Sequence, residues 1–109
     1  MILRLWRGVT PLEKAQGFLE YMKQTGVPDY LQSQGNRGAM IISRSDKTHT
    51  EFQLLSLWDS IDDLKRFGGE DYEVAKYPFP RDREFLIKLE EKVEHFDVLM
   101  WDMRCKESG

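Results

Sequence analysis

The stretch TEFQLLSLW at residues 50–58 decides the fold, because its apolar side chains do not simply alternate. Its second half, Leu54-Leu55-Ser56-Leu57-Trp58, puts apolar side chains on both faces of one predicted strand, and VLMW at residues 98–101 does the same. A strand in a sheet with one face in water should instead alternate apolar and polar residues. These stretches therefore predict a sheet that is covered on both faces.

The segments before this strand predict a strand, a helix and the first half of a hairpin. Residues 2–7 are rich in apolar and β-favouring residues, and we expect that strand to end at Gly8. The run Thr10-Pro11-Leu12-Glu13 has the pattern of a capping box and predicts the start of a helix. After a predicted loop at residues 28–35, residues 38–45 are expected to pair with residues 50–58 as a hairpin.

The segments after this strand predict a second helical region and a last strand. Ser60 is the expected N-cap of a helix that stops at Gly68-Gly69. Residues 81–93 predict a further helix, and residues 95–103 predict the final strand. The order β-α-β-β-α-β is typical of an α+β, ferredoxin-like fold, with a four-stranded antiparallel sheet and strands one and three at its centre.

Length and charge narrow the possible roles. The chain has 109 residues and a net charge of −3, which predicts one domain over residues 1–104 with a short tail at 105–109. The acidic balance argues against nucleic acid or an anionic membrane surface as the main partner. No apolar run approaches the roughly 20 residues of a membrane span. The single cysteine, Cys105, cannot form an internal disulfide, so the expected location is cytoplasmic.

The two-faced strands also predict an assembly. A chain of this length has helices enough for only one face of its sheet, so the other apolar face needs a further layer. A second copy of the chain supplies that layer most simply. We therefore expect a homodimer in which sheet packs against sheet.

Three segments resemble the antibiotic biosynthesis monooxygenase (ABM) superfamily: LWDS at residues 57–60, FGGEDY at 67–72 and VEHFDV at 93–98. GVP at residues 26–28 and GNRG at 35–38 add to the likeness, which extends over about residues 2–99 and is greatest to a small uncharacterised subgroup. The resemblance implies the dimeric α/β barrel of that superfamily. Its members include cofactor-free monooxygenases of polycyclic phenols, enzymes that open heme oxidatively, and proteins with no known reaction.

The function implied by the resemblance is a cofactor-independent monooxygenase acting on a small aromatic or quinone-like metabolite. Heme-opening relatives use an amide residue, a Trp and a His at positions that hold Trp6, Phe67 and Tyr77 here, so the resemblance does not extend to that chemistry. No cofactor is expected. The alternative is a non-catalytic dimeric barrel that binds a small apolar ligand or serves in a stress response.

Two residues are candidates for the chemistry itself. Tyr72 follows the turn at residues 68–71 and is the candidate hydrogen-bond donor to a substrate; the alternative is a tyrosine whose hydroxyl lies in water. His95 is the candidate base, because an imidazole with an ordinary pKa near 6.5 exchanges protons at neutral pH. The alternative for His95 is a structural hydrogen bond.

The candidates for substrate binding combine one cation with large aromatic rings. For the cation, Arg4, we favour an ion pair with Asp97 or Glu51 over an anionic ligand, because a buried charge needs a partner. For the tryptophans, packing in the core or in the dimer is the default. The chain lacks His-x-x-x-His and Cys-x-x-Cys spacings, so no metal site is expected. The aromatic candidates are Trp6, Trp58, Phe67 and Tyr77.

Overall fold

The computed structural model describes residues 1–102 and residue 104. Over this part of the chain it contains four strands and four α-helices, and a 3-10 turn at Leu12–Lys14 follows the first strand. In chain order the elements are β1 (Ile2–Pro11), α1 (Ala15–Gln24), α2 (Gly26–Leu31), β2 (Asn36–Ser45), β3 (His49–Trp58), α3 (Ile61–Gly68), α4 (Asp82–Phe85) and β4 (Glu94–Asp97).

The four strands form one antiparallel sheet in the order β2-β3-β1-β4. The two central strands pair along their whole length, from Ile2 opposite Trp58 to Pro11 opposite His49. Strand β4 is short and pairs only with the first residues of β1. The predicted α+β, ferredoxin-like fold is confirmed, with strands one and three at the centre of the sheet.

One face of the sheet is covered by the helices. The even-numbered side chains of β1 and β3 lie on this face, and all of them except the half-buried Ile2 are buried. Helix α1 turns Phe18 and Met22 toward them, because residues four apart lie on one side of a helix. Ser60 begins α3 as predicted, since its Oγ accepts a hydrogen bond from the Asp63 N–H at 3.2 Å. The core is therefore built between this face and the helices.

The other face of the sheet carries no helix of the described chain. We call it the open sheet face. Its exposed side chains include Met40 (47% exposed), Ile42 (43%) and Phe96 (51%), which are high values for large apolar residues. The apolar positions of both parities in β3 are thus divided between the core and this face. Residues 98–101, which were expected to do the same, lie outside the strands, and Leu99 is 94% exposed, so that part of the prediction is wrong. By strand register the apolar members of the open sheet face are Leu3, Leu5, Val9, Met40, Ile42, Leu55, Leu57 and Phe96.

The end of β1 differs from the prediction. The strand does not stop at Gly8; it continues to Pro11, and Thr10 pairs with Thr50 of β3. The Thr10 hydroxyl donates to the Pro11 carbonyl at 2.9 Å and does not cap a helix. Gly8 is required because a Cβ there would overlap the ring of Trp6. The predicted capping box is therefore wrong, since cross-strand pairing outweighs the local helix signal.

The segment between α3 and β4 also differs. Only Asp82–Phe85 is helical where residues 81–93 were predicted to form a helix. Beyond it the chain is extended: the Ile87 N–H donates to the Val9 carbonyl and the Val93 N–H to the Glu73 carbonyl, both at 2.9 Å. These bonds to distant backbone replace the bonds that a helix would make within itself.

Three smaller predictions concern loops and ends. Residues 28–35 were expected to form a loop that could include one turn around Tyr30-Leu31; the helical part is longer, since α2 extends from Gly26 through Leu31. The last strand was expected at residues 95–103; β4 ends at Asp97, and residue 103 lies outside the described residues, as does the predicted tail at 105–109. Among the helices of the described chain, none has the length and apolar character needed to cross a membrane.

Candidate functional site

A cavity of about 350 Å³ lies between the helix face of the sheet and the chain that covers it. Strands β1 and β3 form its floor, and α1, α2, α3 and the loop before α4 form its sides. Four of the predicted substrate-binding residues lie on its wall, namely Arg4, Trp6, Phe67 and Tyr77.

Aromatic rings form most of the wall of this cavity. Trp6 packs against Phe18 at a centroid distance of 6.1 Å and against Tyr77 at 6.3 Å. On the other side Phe67 packs edge-on against Tyr30 at 5.0 Å. Offset and edge-on contacts of this kind hold rings in fixed orientations. The wall is therefore pre-formed and suited to a flat, apolar ligand.

The hydroxyl of Tyr77 is already engaged. It donates to the Glu90 carbonyl at 2.9 Å, and burial is the main cause that raises the pKa of this phenol above 10.0. Tyr77 is thus protonated at neutral pH and its proton points into the protein. Its ring forms part of the wall, and its oxygen is not available as a base.

Arg4 is the only charged residue among the buried wall residues of the described chain, with 5% of its surface exposed. It lies on the central strand β1, where its Nη1 donates to the Tyr72 carbonyl at 2.8 Å and to Nε2 of His95 at 3.1 Å. Its guanidinium carbon lies 5.7 Å from the centre of the Phe67 ring. A cation is therefore built into the aromatic wall.

The predicted ion pair of Arg4 is wrong. Glu51 lies on the open sheet face, where it pairs with Arg7 at 3.8 Å and Arg44 at 3.4 Å. Asp97 is opposite Ile2 on the sheet. Among the described residues no carboxylate lies within 4.0 Å of Arg4. The reason is strand parity: Glu51 is odd-numbered on β3, so it points away from the face that holds Arg4.

His95 and Tyr72 adjoin the cavity through Arg4 and do not line it. Their rings meet edge-on at 5.1 Å. Burial lowers the pKa of His95 below its ordinary 6.5, and the neighbouring Arg4 cation lowers it further. Neutral His95 therefore accepts the Arg4 hydrogen bond at Nε2. In this geometry His95 orients Arg4 and offers the cavity no free nitrogen.

Trp58 lies behind the wall. It is fully buried, and its Nε1 donates to the Ser56 hydroxyl at 2.9 Å. Its ring packs on Phe67 at a centroid distance of 5.0 Å. The structure thus places Trp58 in the core, where it supports a wall residue, and does not place it in contact with the cavity.

Sequence reasoning missed three charged residues on the wall, and they are Asp29, Lys76 and Asp82. Burial is the main cause that raises the pKa of Asp82 above 3.8. Lys76 donates to Asp71 at 2.7 Å and to the Gly68 carbonyl. The helix-breaking run Pro78-Phe79-Pro80 was the available signal, since it predicts an irregular segment, and Pro78 and Phe79 lie on the cavity wall.

The donor groups of the described chain do not converge on a metal. Within residues 1–102 and 104, no three His, Cys, Asp or Glu residues lie close enough together to hold an ion. The cavity wall also carries no imidazole, because His49 lies at the exposed end of the hairpin and His95 is bound to Arg4. The wall residues therefore do not fit a heme ligated by histidine.

Comparison with known proteins supports the fold. No protein-family model matches the chain, and no curated protein sequence matches it. A solved structure of an arginine-to-serine mutant of MhuD, with two manganese protoporphyrin IX molecules bound per active site, has a similar fold with a TM-score of 0.59. The alignment covers 95% of this chain and 100% of that chain at 12% identity. This likeness supports the ferredoxin-like fold and, at that identity, shows the fold alone.

Proposed function

We propose that the protein is a cofactor-independent monooxygenase for a small aromatic or quinone-like metabolite. The observation that carries the proposal is the aromatic-walled cavity with the buried Arg4 cation in its wall. The ABM-like fold supports it, because that superfamily contains enzymes of this kind. The ring of the substrate would lie against Trp6, Phe67 and Tyr77.

The chemistry needs an electron-rich anion and a site that keeps water away from it. A cation in a low-dielectric wall stabilises the anionic form of a phenol more strongly than water does. That anion is itself the reductant of oxygen. In an anthrone, the CH2 carbon loses a proton, bonds to O2 and becomes a C=O group as the O–O bond breaks and water leaves. The protein supplies position and charge.

Oxygen uptake with a panel of dihydroxynaphthalenes and anthrones tests this proposal. We expect uptake above the spontaneous rate for the wild type, and a fall of about 100-fold in Arg4→Gln, as when one charge-stabilising donor is removed from an active site. Tyr72→Phe should keep most of the activity, because Arg4 is held by the backbone carbonyl of Tyr72. Arg37→Gln, which removes an exposed cation paired with Asp59, is the matched control.

A wild-type rate equal to the spontaneous rate with every substrate would refute the oxygenase proposal. In that case the alternative is a binding protein without turnover. One observation favours it: Nε2 of His95 and the hydroxyl of Tyr77 are both engaged by protein groups. This alternative, a binding protein without turnover, predicts saturable quenching of tryptophan fluorescence by aromatic ligands with no consumption of oxygen.

We also propose that the open sheet face binds a second copy of the chain. Its apolar side chains form one area, and both signs of charge stand together at one end. A two-fold interface brings each patch onto its own copy, so a patch with both signs can pair with itself. The charged residues of this patch are Arg7, Arg44, Glu51 and Glu94. A homodimer would thus cover the second face of the sheet.

A cytoplasmic location also stays a prediction.

A further inference from the structure

The guanidinium of Arg4 is only partly satisfied by the protein. Both hydrogen bonds that the guanidinium makes come from Nη1, one to the Tyr72 carbonyl and one to Nε2 of His95. Its Nε is buried and has no partner among the described residues, and Nη2 makes no hydrogen bond there either. Buried side-chain donors are almost always paired. The orphaned donor belongs to a residue of the cavity wall, and a ligand that reached it would supply the missing hydrogen bond.

The charge around Arg4 is also unbalanced. His95, its nearest titratable neighbour, is neutral, because burial and Arg4 itself lower the pKa of His95. The neighbouring ring of Phe67 offers only its π face. No carboxylate of the described chain lies within ion-pair distance. A buried cation without a counter-ion is unfavourable, and an anionic ligand would supply the missing charge.

The two unused nitrogens define the shape of that anion. With Nη1 bound to the protein, the remaining edge of the guanidinium is the one formed by Nε–H and Nη2–H. Two parallel N–H groups on one edge match the two oxygens of a carboxylate, whereas a single phenolate oxygen cannot fill both donors in parallel. Arg4 shares the cavity wall with the rings of Trp6 and Tyr77, so a ring attached to the carboxylate has aromatic side chains to pack against.

We propose that the cavity binds an aromatic carboxylate, with the carboxylate on Nε and Nη2 of Arg4 and the ring against Trp6, Phe67 and Tyr77. This rests on the proposed function, in that it names the substrate class of the same cavity. His95 acts as a positioning residue, because its bond to Nη1 turns the free edge of the guanidinium toward the ligand. The metabolite would then be a hydroxylated aromatic acid.

Binding of 2-naphthoate and 2-naphthol, measured by calorimetry without oxygen, tests the proposal. The two probes share one ring system, and only the naphthoate is an anion at pH 7. We expect the wild type to bind the naphthoate about 10- to 100-fold more tightly than the naphthol, as for a charge-assisted bond. Arg4→Gln should lose that preference and bind the two probes with similar affinity. Arg4→Lys, which keeps the charge without the paired donors, should recover only part of the preference.

The controls separate this role from a structural one. Arg37→Gln removes a cation outside the cavity and should leave both affinities unchanged. A rise in melting temperature with 2-naphthoate, present in the wild type and absent in Arg4→Gln, gives a second readout on folded protein. Acetate at millimolar concentration should not displace the naphthoate, since it lacks the ring.

Several outcomes overturn the inference. They are equal affinities of the wild type for the two probes, no binding of the naphthoate, an unchanged preference in Arg4→Gln, or equal competition by acetate. The result is also distinct from that of the oxygenase test. If naphthoate binding depends on Arg4 but no phenol causes oxygen uptake, the carboxylate site is supported and the oxygenase proposal is refuted. If oxygen uptake occurs but the wild type shows no preference for the naphthoate, the oxygenase proposal is supported and the carboxylate site is refuted.

Discussion

At the scale of single residues, the hydrogen bond between Arg4 and His95 links the cavity to the edge strand β4. The bond requires neutral His95, since a protonated imidazole has no free lone pair at Nε2. The groups around His95 are the Arg4 cation, the Tyr72 ring and the carboxylate of Glu73, and of the two charges Arg4 lowers the pKa of His95 while Glu73 raises it. Protonation of His95 therefore changes both the free energy of unfolding and the orientation of the Arg4 side chain.

We predict that stability depends on pH through His95. Because the pKa of His95 in the folded protein is below 6.5, the unfolded chain takes up its proton first as the pH falls. The free energy of unfolding is thus greatest above pH 6.5 and decreases as the pH falls from there through the folded pKa, by at most about 1.4 kcal/mol per pH unit. Urea denaturation between pH 5 and 8 should show this slope in the wild type and not in His95→Gln.

The matched control for that prediction is His49→Gln. His49 lies at the exposed hairpin, where its Nδ1 bonds to the Thr48 hydroxyl, so this variant should keep the wild-type profile. An identical pH profile for His95→Gln and the wild type would contradict the role assigned to His95.

We also predict opposite effects of alanine at two glycines. Gly35 has φ of +84°, and a Cβ there would overlap the carboxyl group of Asp63. Gly35→Ala should therefore lower the free energy of unfolding by about 1–3 kcal/mol. Gly26 begins α2 with open space around it, so Gly26→Ala should be neutral or stabilise by up to about 1 kcal/mol. Urea denaturation measures both, and equal losses would contradict the prediction.

At the scale of elements, local signals predicted those elements whose hydrogen bonds are local. Ser60 caps α3 as expected, because a serine and the N–H three residues on can meet without help from the rest of the chain. The hairpin of β2 and β3 is likewise a local pairing. The extended segment after α4 was missed, since its partners Val9 and Glu73 are far away in sequence.

On β1, the ring of Trp6 occupies the space that a side chain at residue 8 would need. Both lie on the helix face, and a Cβ at residue 8 would overlap the ring and lie 2.9 Å from Leu86 Cδ2. We predict that Gly8→Ala displaces Trp6, lowers stability by about 1–3 kcal/mol and weakens binding of 2-naphthoate roughly tenfold. Calorimetry at a temperature where the variant is folded measures this.

Val9→Ala is the control for that prediction. Val9 is the next residue on β1, it points to the open sheet face, and it is absent from the cavity wall. The substitution should lower stability through lost packing and leave the affinity for 2-naphthoate unchanged. If both variants weakened binding equally, general destabilisation would explain the loss, and displacement of Trp6 would not.

At the scale of the whole molecule, the proposed homodimer rests on the open sheet face. We predict that the wild type sediments at about 26 kDa, twice the 12.9 kDa of one chain, at micromolar concentration. Leu55→Lys places a charge in the centre of this face and should give the single-chain mass. Sedimentation velocity measures both species.

Leu12→Lys is the matched control for the assembly. Leu12 is 43% exposed and lies in the 3-10 turn, away from the open sheet face, so this variant should keep the mass of the wild type. A wild-type protein that sediments at 12.9 kDa would refute the homodimer.

The sequence by itself determined the order of strands and helices, the central place of β1 and β3, and the apolar character of both faces of the sheet. It also named four residues of the cavity wall, and two of them, Arg4 and Trp6, share the parity of β1 that faces the helices. These properties depend on near neighbours and on a period of two.

The tertiary structure alone decided that Arg4 has no acidic partner among the described residues and that its Nε is buried without a hydrogen bond. Which acid faces Arg4 depends on strand register, and one step of register moves Glu51 from one face of the sheet to the other. The position of Asp82 on the wall and the extended chain after α4 likewise depend on contacts between residues that are far apart in sequence. Such contacts leave no local pattern, because each is formed only when the whole sheet and its covering segments are in place.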